Sequence, residues 1–113
     1  MAAAGRTPAH VEEFCRAFSI DAAHSYATAD DSGDAAYDAL IADPDVDAIY
    51  LAFPHGMHAH WACRALRAGK AVLCEKPAVL NEEEAHAIAS VSRECGVPFM
   101  EAMKIGFVRC ILA

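Results

Sequence analysis

The sequence predicts an α/β chain organised on a parallel, doubly wound sheet, and three observations carry that expectation. Short apolar runs alternate with amphipathic patterns long enough for helices, so the second half reads β-α-β-α-β. The clearest run, Ala48–Phe53, is continuously apolar, which suits a strand covered on both faces. Each apolar strand also stops at a polar or charged interruption: Phe53-Pro54-His55, Glu75-Lys76-Pro77, and the stretch after Glu101. In open parallel sheets ligands bind outside the carboxyl ends of the strands, so these three stretches would share one edge.

The elements follow in order. In "TPAHVEEFCRAF", Thr7 is placed to cap a helix with Pro8 at its first position, and Val11, Phe14, Cys15 and Phe18 share one face. "AHSYA" suggests a short strand over 25–27. Asp30-Asp31-Ser32-Gly33-Asp34 is turn chemistry, followed by a helix over 34–42 with Tyr37, Leu40 and Ile41 as its apolar side. "DPDVDAIYLAFP" supplies the 48–53 strand, introduced by an Asp-Pro turn and stopped by Pro54. A helix is expected over 57–68, with Gly69 ending it in the left-handed position that glycine adopts without cost. The next strand is 71–74. Asn81 then caps a helix with Glu84 three residues on, and Ala85, Ile88, Val91 and Cys95 are expected to face inward before Gly96 and Pro98 stop it. A last strand is expected over 99–103.

The chain has 113 residues, 56% hydrophobic and 22% charged, which is the balance of a globular domain rather than a disordered one. Sixteen acidic against nine basic residues leave a net charge of −7 with no basic stripe, so neither nucleic acid nor an anionic membrane is expected as a partner. The five cysteines are odd in number and form no C-x-x-C pair, which points to reduced, mostly packed thiols and a cytoplasmic location. No apolar run approaches the ~18 residues of a membrane span, and no signal-peptide pattern opens the sequence.

Lys76 is the principal candidate for chemistry. Pro77 ends the strand and biases Lys76 toward extended geometry, where its ammonium could meet a substrate oxygen; a solvated Glu75–Lys76 turn is the competing reading. His55, His58 and His60 in "PHGMHAHW" invite a metal, but His60 falls two residues past His58, and no nearby cysteine or carboxylate completes a tetrahedral set. Polar lining of a ligand cleft and ordinary solvated or satisfied histidines are the two alternatives preferred. Cys74 has no base beside it in the sequence and is expected to be a packed thiol.

The run "DPDVDAIYLAFPHGMHAHWACRALRAGKAVLCEKPAVLNEEEAHAI" resembles the Gfo/Idh/MocA family of nicotinamide-dependent oxidoreductases. "HGMHAHW" and "EAMKIGF" look closest to the branch of dihydrodiol and D-xylose dehydrogenases, although Lys104 and Gly106 depart from that branch's pattern. The resemblance runs from Arg6 to about Arg109 and implies a site. Phe53, Pro54, His55 and His58 would border the cofactor, and Glu75 would contact the nicotinamide ribose. Lys76 would stand at hydride transfer as the catalytic residue. Arg6 would hold the 2′-phosphate that distinguishes NADP from NAD, with an exposed N-terminal arginine as its alternative. NADP is therefore the expected cofactor, NAD being possible, and no metal is implied. The implied substrate is a secondary alcohol of a sugar, polyol or dihydrodiol, and the complete family member would be a homo-oligomer.

The resemblance also implies what this chain lacks. Such proteins open with a strand and a G-x-G-x-x-G turn, yet no two of the glycines at 5, 33, 56, 69, 96 and 106 are spaced two or three apart. We therefore expect a partial Rossmann domain over 1–104, without the first βα unit or the α+β substrate domain, with 105–113 starting the connection to that domain. In the strand order 3-2-1-4-5-6 the absent strand is central, so the 48–53 strand should have an unpaired edge. The expectation is a fragment that neither binds NADPH tightly nor turns over. The alternative is a non-catalytic interaction protein, or a truncated isoform, that pairs through that edge with a full-length relative.

Overall fold

The computed structural model describes residues 1–28 and 33–103. The turn residues at 30–32 and the whole segment from Lys104 onward, including Gly106, Cys110 and the expected connection, lie outside the described residues. The chain divides into two units, Met1–Val46 and Asp47–Ala113.

In the first unit, β1 (Ala3–Gly5) and β2 (Ser25–Ala27) pair in parallel with Ala4 opposite Tyr26. Between them runs α1 (Pro8–Ala17), and α2 (Asp34–Ala42) follows. Thr7 occupies the N-cap position of α1 and Pro8 its first turn, as expected, but the Thr7 side chain makes no capping bond. Only Val11 and Cys15 of the expected face are buried; Phe14 and Phe18 are exposed and lie against each other, their ring centroids 4.5 Å apart. A short helix packed on a two-stranded sheet has room to bury one turn-spaced pair, and the outer aromatics cover each other instead. Gly33 starts α2 at φ +74°, and a Cβ there would collide with Cγ of Arg6, so close approach and positive φ both require glycine.

Asp43, just past α2, is the polar centre of this unit. It is buried, yet its carboxylate accepts three hydrogen bonds: from Tyr26 Oη at 2.9 Å, from His24 Nδ1 at 2.9 Å and from the Asp45 backbone N–H at 2.8 Å. The Asp45 N–H, with the His24 and Tyr26 donors beside it, holds the carboxyl below its ordinary value of 3.8.

The second unit contains β3 (Ala48–Leu51), α3 (His58–Arg67), β4 (Ala71–Cys74), α4 (Glu82–Cys95) and β5 (Phe99–Glu101). The three strands are parallel in the order β3-β4-β5, each joined to the next by a helix. Helices α3 and α4 pack on one another, and α3 packs on β3 and β4. The core is Trp61, Ala62, Ala65 and Leu66 of α3, Ile88 and Val91 of α4, and Ile49, Leu51, Val72 and Cys74 of the strands.

Three expectations are corrected here. β3 and β5 end two residues earlier than the apolar runs that announce them, at Leu51 and Glu101. Within the described residues of this unit the sheet is covered on one face: along β3 burial alternates, and Tyr50, Leu73 and Met100, aligned across the three strands, are exposed. A row of apolar side chains thus lies on the face opposite α3 and α4. On α4, Ile88 and Val91 are buried while Ala85 and Cys95 are exposed, because the helix packs mainly on α3 and only lightly on β5, which buries a narrow stripe.

The helix ends follow local chemistry. Asn81 Oδ1 accepts from the Glu84 N–H at 2.9 Å, and the Glu84 carboxylate accepts from the Leu80 N–H at 2.8 Å, so the capping box closes one residue further back than its usual form. Gly69 and Gly96 end α3 and α4 at φ +79° and +66°. A helix of the length and apolarity needed to cross a membrane is absent among the described residues.

Two outcomes check this account. Leu66 is fully buried, so Leu66→Ala should cost about 3 kcal/mol of unfolding free energy, read from urea titration followed by circular dichroism. For Asp43 the native carboxyl lies below its unfolded value, so its contribution to stability is complete above about pH 4 and is lost as pH falls through the native value. Tyr26 amide protection against hydrogen exchange should therefore fall on acidification to pH 3, and Asp43→Asn should flatten that dependence.

Candidate functional site

The site lies along the carboxyl edge of the β3-β4-β5 sheet. Register places Leu51 opposite Cys74 and Cys74 opposite Glu101, so the three strands finish level. The ladder extends one step further on each pair, through Glu75 N–H to the Leu51 carbonyl at 2.9 Å and Ala102 N–H to the Cys74 carbonyl at 2.8 Å. Phe53-Pro54-His55, Glu75-Lys76-Pro77 and Ala102 therefore leave the sheet side by side, as the sequence leads one to expect.

Lys76 is exposed in the turn after β4, and the Lys76–Pro77 bond is cis. Glu75, half-buried beside it, accepts a hydrogen bond from Tyr50 Oη and a second, at 3.2 Å, from the Lys76 backbone N–H. The Tyr50 hydroxyl, with the Lys76 N–H next, lowers the Glu75 carboxyl from its ordinary value, and the same bond raises the Tyr50 phenol. Glu75 is thus an ionised acceptor at neutral pH, able to take hydrogen bonds from hydroxyl groups. Tyr50 is a member of the site that its apolar run concealed; what could have revealed it is its position one residue before the strand's end, on the face that also carries Glu75.

The three histidines part company. His58, at the start of α3, is fully buried; its Nε2 lies 2.8 Å from the Phe53 carbonyl oxygen and its Nδ1 3.0 Å from the Pro77 carbonyl oxygen. One ring thereby ties the exit of β3 to the turn after β4. His55 is exposed in a short 3-10 turn over His55–Met57, its ring centroid 5.6 Å from that of His58. His60 sits edge-on to Trp61 at 5.2 Å. Among the described residues, the group of side chains close enough to share a metal is elsewhere, at His24, Asp43 and Asp45, where the Asp43 oxygens are already engaged by hydrogen bonds. Phe53 is half-buried against Trp61, with 6.0 Å between ring centroids, and Pro54 is exposed. Arg6, in the first unit, is exposed just past β1 with its stem against Gly33.

Cys74 is fully buried, and its thiol is pushed up to about 11, by burial first and by the carboxylates of Glu101 and Glu75 after it. It is a packed thiol rather than a nucleophile, as expected. Glu101 was legible only as a residue of the last strand. Its carboxylate accepts from the buried Ala78 N–H at 2.9 Å, the first backbone donor after Lys76 because Pro77 has none.

A family model described as an oxidoreductase family with an NAD-binding Rossmann fold matches residues 1–103. The chain belongs to the Gfo/Idh/MocA oxidoreductase family. Among curated Gfo/Idh/MocA relatives, D-xylose 1-dehydrogenase (NADP(+)) 2 of Haloferax volcanii is 39% identical over 79% of this chain and 29% of its own length. Trans-1,2-dihydrobenzene-1,2-diol dehydrogenase of Mus musculus is 36% identical over 91% of this chain and 28% of its own length. A solved 3-ketoreductase from Actinomadura kijaniata, in complex with TDP-benzene and NADP, superposes with a TM-score of 0.81 at 33% identity, covering 97% of this chain and 31% of that one. The chain spans less than a third of the length of these relatives.

The thiols supply a check on the site. With Cys74 buried and its thiol raised to about 11, and Cys95 exposed, iodoacetamide at pH 8 should label Cys95 while Cys74 stays unmodified until the fold is opened by denaturant, as read by peptide mass spectrometry.

Proposed function

We propose that this chain carries the hydride-transfer edge of an NADP-dependent dehydrogenase acting on a secondary alcohol of a sugar, polyol or dihydrodiol. The observation that carries the reading is the alignment of strand ends that sets an ionised Glu75 beside an exposed Lys76. The residues suit a nicotinamide dinucleotide in part. Glu75, kept ionised by Tyr50, is a hydrogen-bond acceptor for ribose hydroxyls. Phe53, Pro54 and His55 offer one half-buried and two exposed surfaces at the exit of β3, and His58 holds that exit in place. Arg6 offers a guanidinium for a 2′-phosphate at the end of β1. For the pyrophosphate no glycine-rich turn exists in the sequence.

When bound, the cofactor supplies the acceptor or donor of hydride. The chain's own task is proton and position. Lys76 presents its amine to the substrate oxygen; in the oxidising direction that amine takes the hydroxyl proton as the carbon–hydrogen bond gives up its hydride, and in the reducing direction the ammonium returns it. Glu75 and the His58-tied carbonyls hold the backbone from which Lys76 projects.

An open edge on β3 favours a second reading. Among the described residues β3 pairs with β4 alone, and Tyr50, Leu73 and Met100 are exposed beside it. An unpaired edge of this kind suits association with a full-length relative in a non-catalytic role. Co-expression with such a relative should then yield a mixed oligomer, and recovery of separate species would reject that reading.

The first reading is tested by titrating NADPH into the 15N-labelled chain. The amides of Phe53, His55, Glu75 and Lys76 should shift, with an affinity weaker than micromolar, and Arg6→Ala should weaken NADPH at least about tenfold more than NADH, from the ~1.5 kcal/mol or more expected of one charge-assisted bond. Amides that stay in place at saturating NADPH would overturn it. In an enzyme that carries these residues together with a substrate domain, Lys76→Ala should lower kcat far more than cofactor affinity; turnover kept within about twofold would make Lys76 scaffold.

A further inference from the structure

We infer that Glu101 is a positioning residue for Lys76, acting through the Ala78 N–H; the functional importance of that position rests on the reading just given for Lys76. The turn that carries Lys76 is anchored on its near side by Glu75, whose N–H bonds the Leu51 carbonyl and whose carboxylate accepts from Tyr50. On its far side Pro77 has no N–H to give, and its carbonyl is held by His58. The next group able to fix the backbone is the Ala78 N–H. It is buried, and its acceptor is the Glu101 carboxylate at 2.9 Å, reaching from the end of β5, 23 residues away in sequence.

A carboxylate suits this place better than a backbone carbonyl would. At the end of β5 the Glu101 backbone carbonyl already accepts from the Met103 N–H at 2.8 Å, and the Ala102 N–H is given to the Cys74 carbonyl at 2.8 Å. A side chain from the third strand must therefore bridge to the turn, and charge-assisted acceptance strengthens the bond. The bridge makes all three strands converge on Lys76: β3 through Tyr50 and the Leu51 carbonyl, β4 by continuity, and β5 through Glu101. The ionisable groups around this bond are Cys74 on β4, Glu75 in the turn, and His58 on α3, which meets the same loop through the Pro77 carbonyl. Of these, Cys74 stays a thiol at neutral pH, so it does not compete for the Ala78 N–H.

The test uses the 113-residue chain without cofactor, so its result is independent of whether NADPH binds. In the wild-type chain, NMR should detect a scalar coupling across the hydrogen bond from the Ala78 amide nitrogen to the Glu101 side-chain carboxyl carbon. Glu101→Ala should speed Ala78 amide exchange at least tenfold and displace the Lys76 amide resonance, while Ala62 and Leu66 of α3 keep theirs. Glu101→Gln, which retains an oxygen acceptor, should restore Ala78 protection and return the Lys76 resonance toward its wild-type position. A folded Glu101→Ala chain with Ala78 still protected and Lys76 unmoved overturns the inference. If Glu101→Ala does not fold, the absence of the coupling in the wild-type chain overturns it, and its presence with Gln rescue supports it.

Discussion

The level register of three parallel strands is the constraint on which the rest depends. Leu51, Cys74 and Glu101 stand opposite one another, so the chain leaves the sheet three times at one height. Parallel strands demand crossovers, and the two crossovers here are helices that place Trp61, Leu66, Ile88 and Val91 over one face. Burial of that face sets the register, since a slip of one residue would turn every core side chain outward. The polar exits then have no freedom to separate. Glu75 and Lys76 meet Phe53 and Glu101 because the core beneath them permits one alignment.

Around that edge the polar groups work as ties. His58 spans two carbonyls, Tyr50 bonds Glu75, and Glu101 bonds Ala78. Each tie joins two of the three exits or an exit to a helix, and most are set against a group that the sheet ladder does not satisfy. Together they fix the backbone of the turn after β4, from which the exposed Lys76 projects.

Much of this was legible in residue order. The strands at 25–27 and 71–74, the α2 helix, the Asn81 cap and the Gly69 stop each follow from local chemistry, and local chemistry is what a single sequence records. The exits of β3 and β4 were legible too, because proline and charge mark them. What stayed hidden was tertiary. Phe14 and Phe18 belong to a convincing apolar stripe, yet nothing in α1 itself tells how much surface its two short strands can cover. Tyr50 sits in an apolar run that conceals its hydroxyl's partner 25 residues away. His58 looks like one of three histidines until its two carbonyls are seen, and Glu101 looks like one more residue of a strand expected to run on to 103. The single-sided burial of the sheet was also beyond reach, since a continuously apolar run is compatible with one covered face or two.

The contact between Phe53 and Trp61 gives the protein an optical property of its own. Trp61 is the sole tryptophan, held in the core of α3 with Phe53 at 6.0 Å on the side where β3 leaves the sheet. Indole emission overlaps the absorption of a reduced nicotinamide ring. The chain therefore carries, within its own core, an energy donor whose emission would dim as a reduced dinucleotide settled beside that strand end, and it needs no attached dye to announce the event.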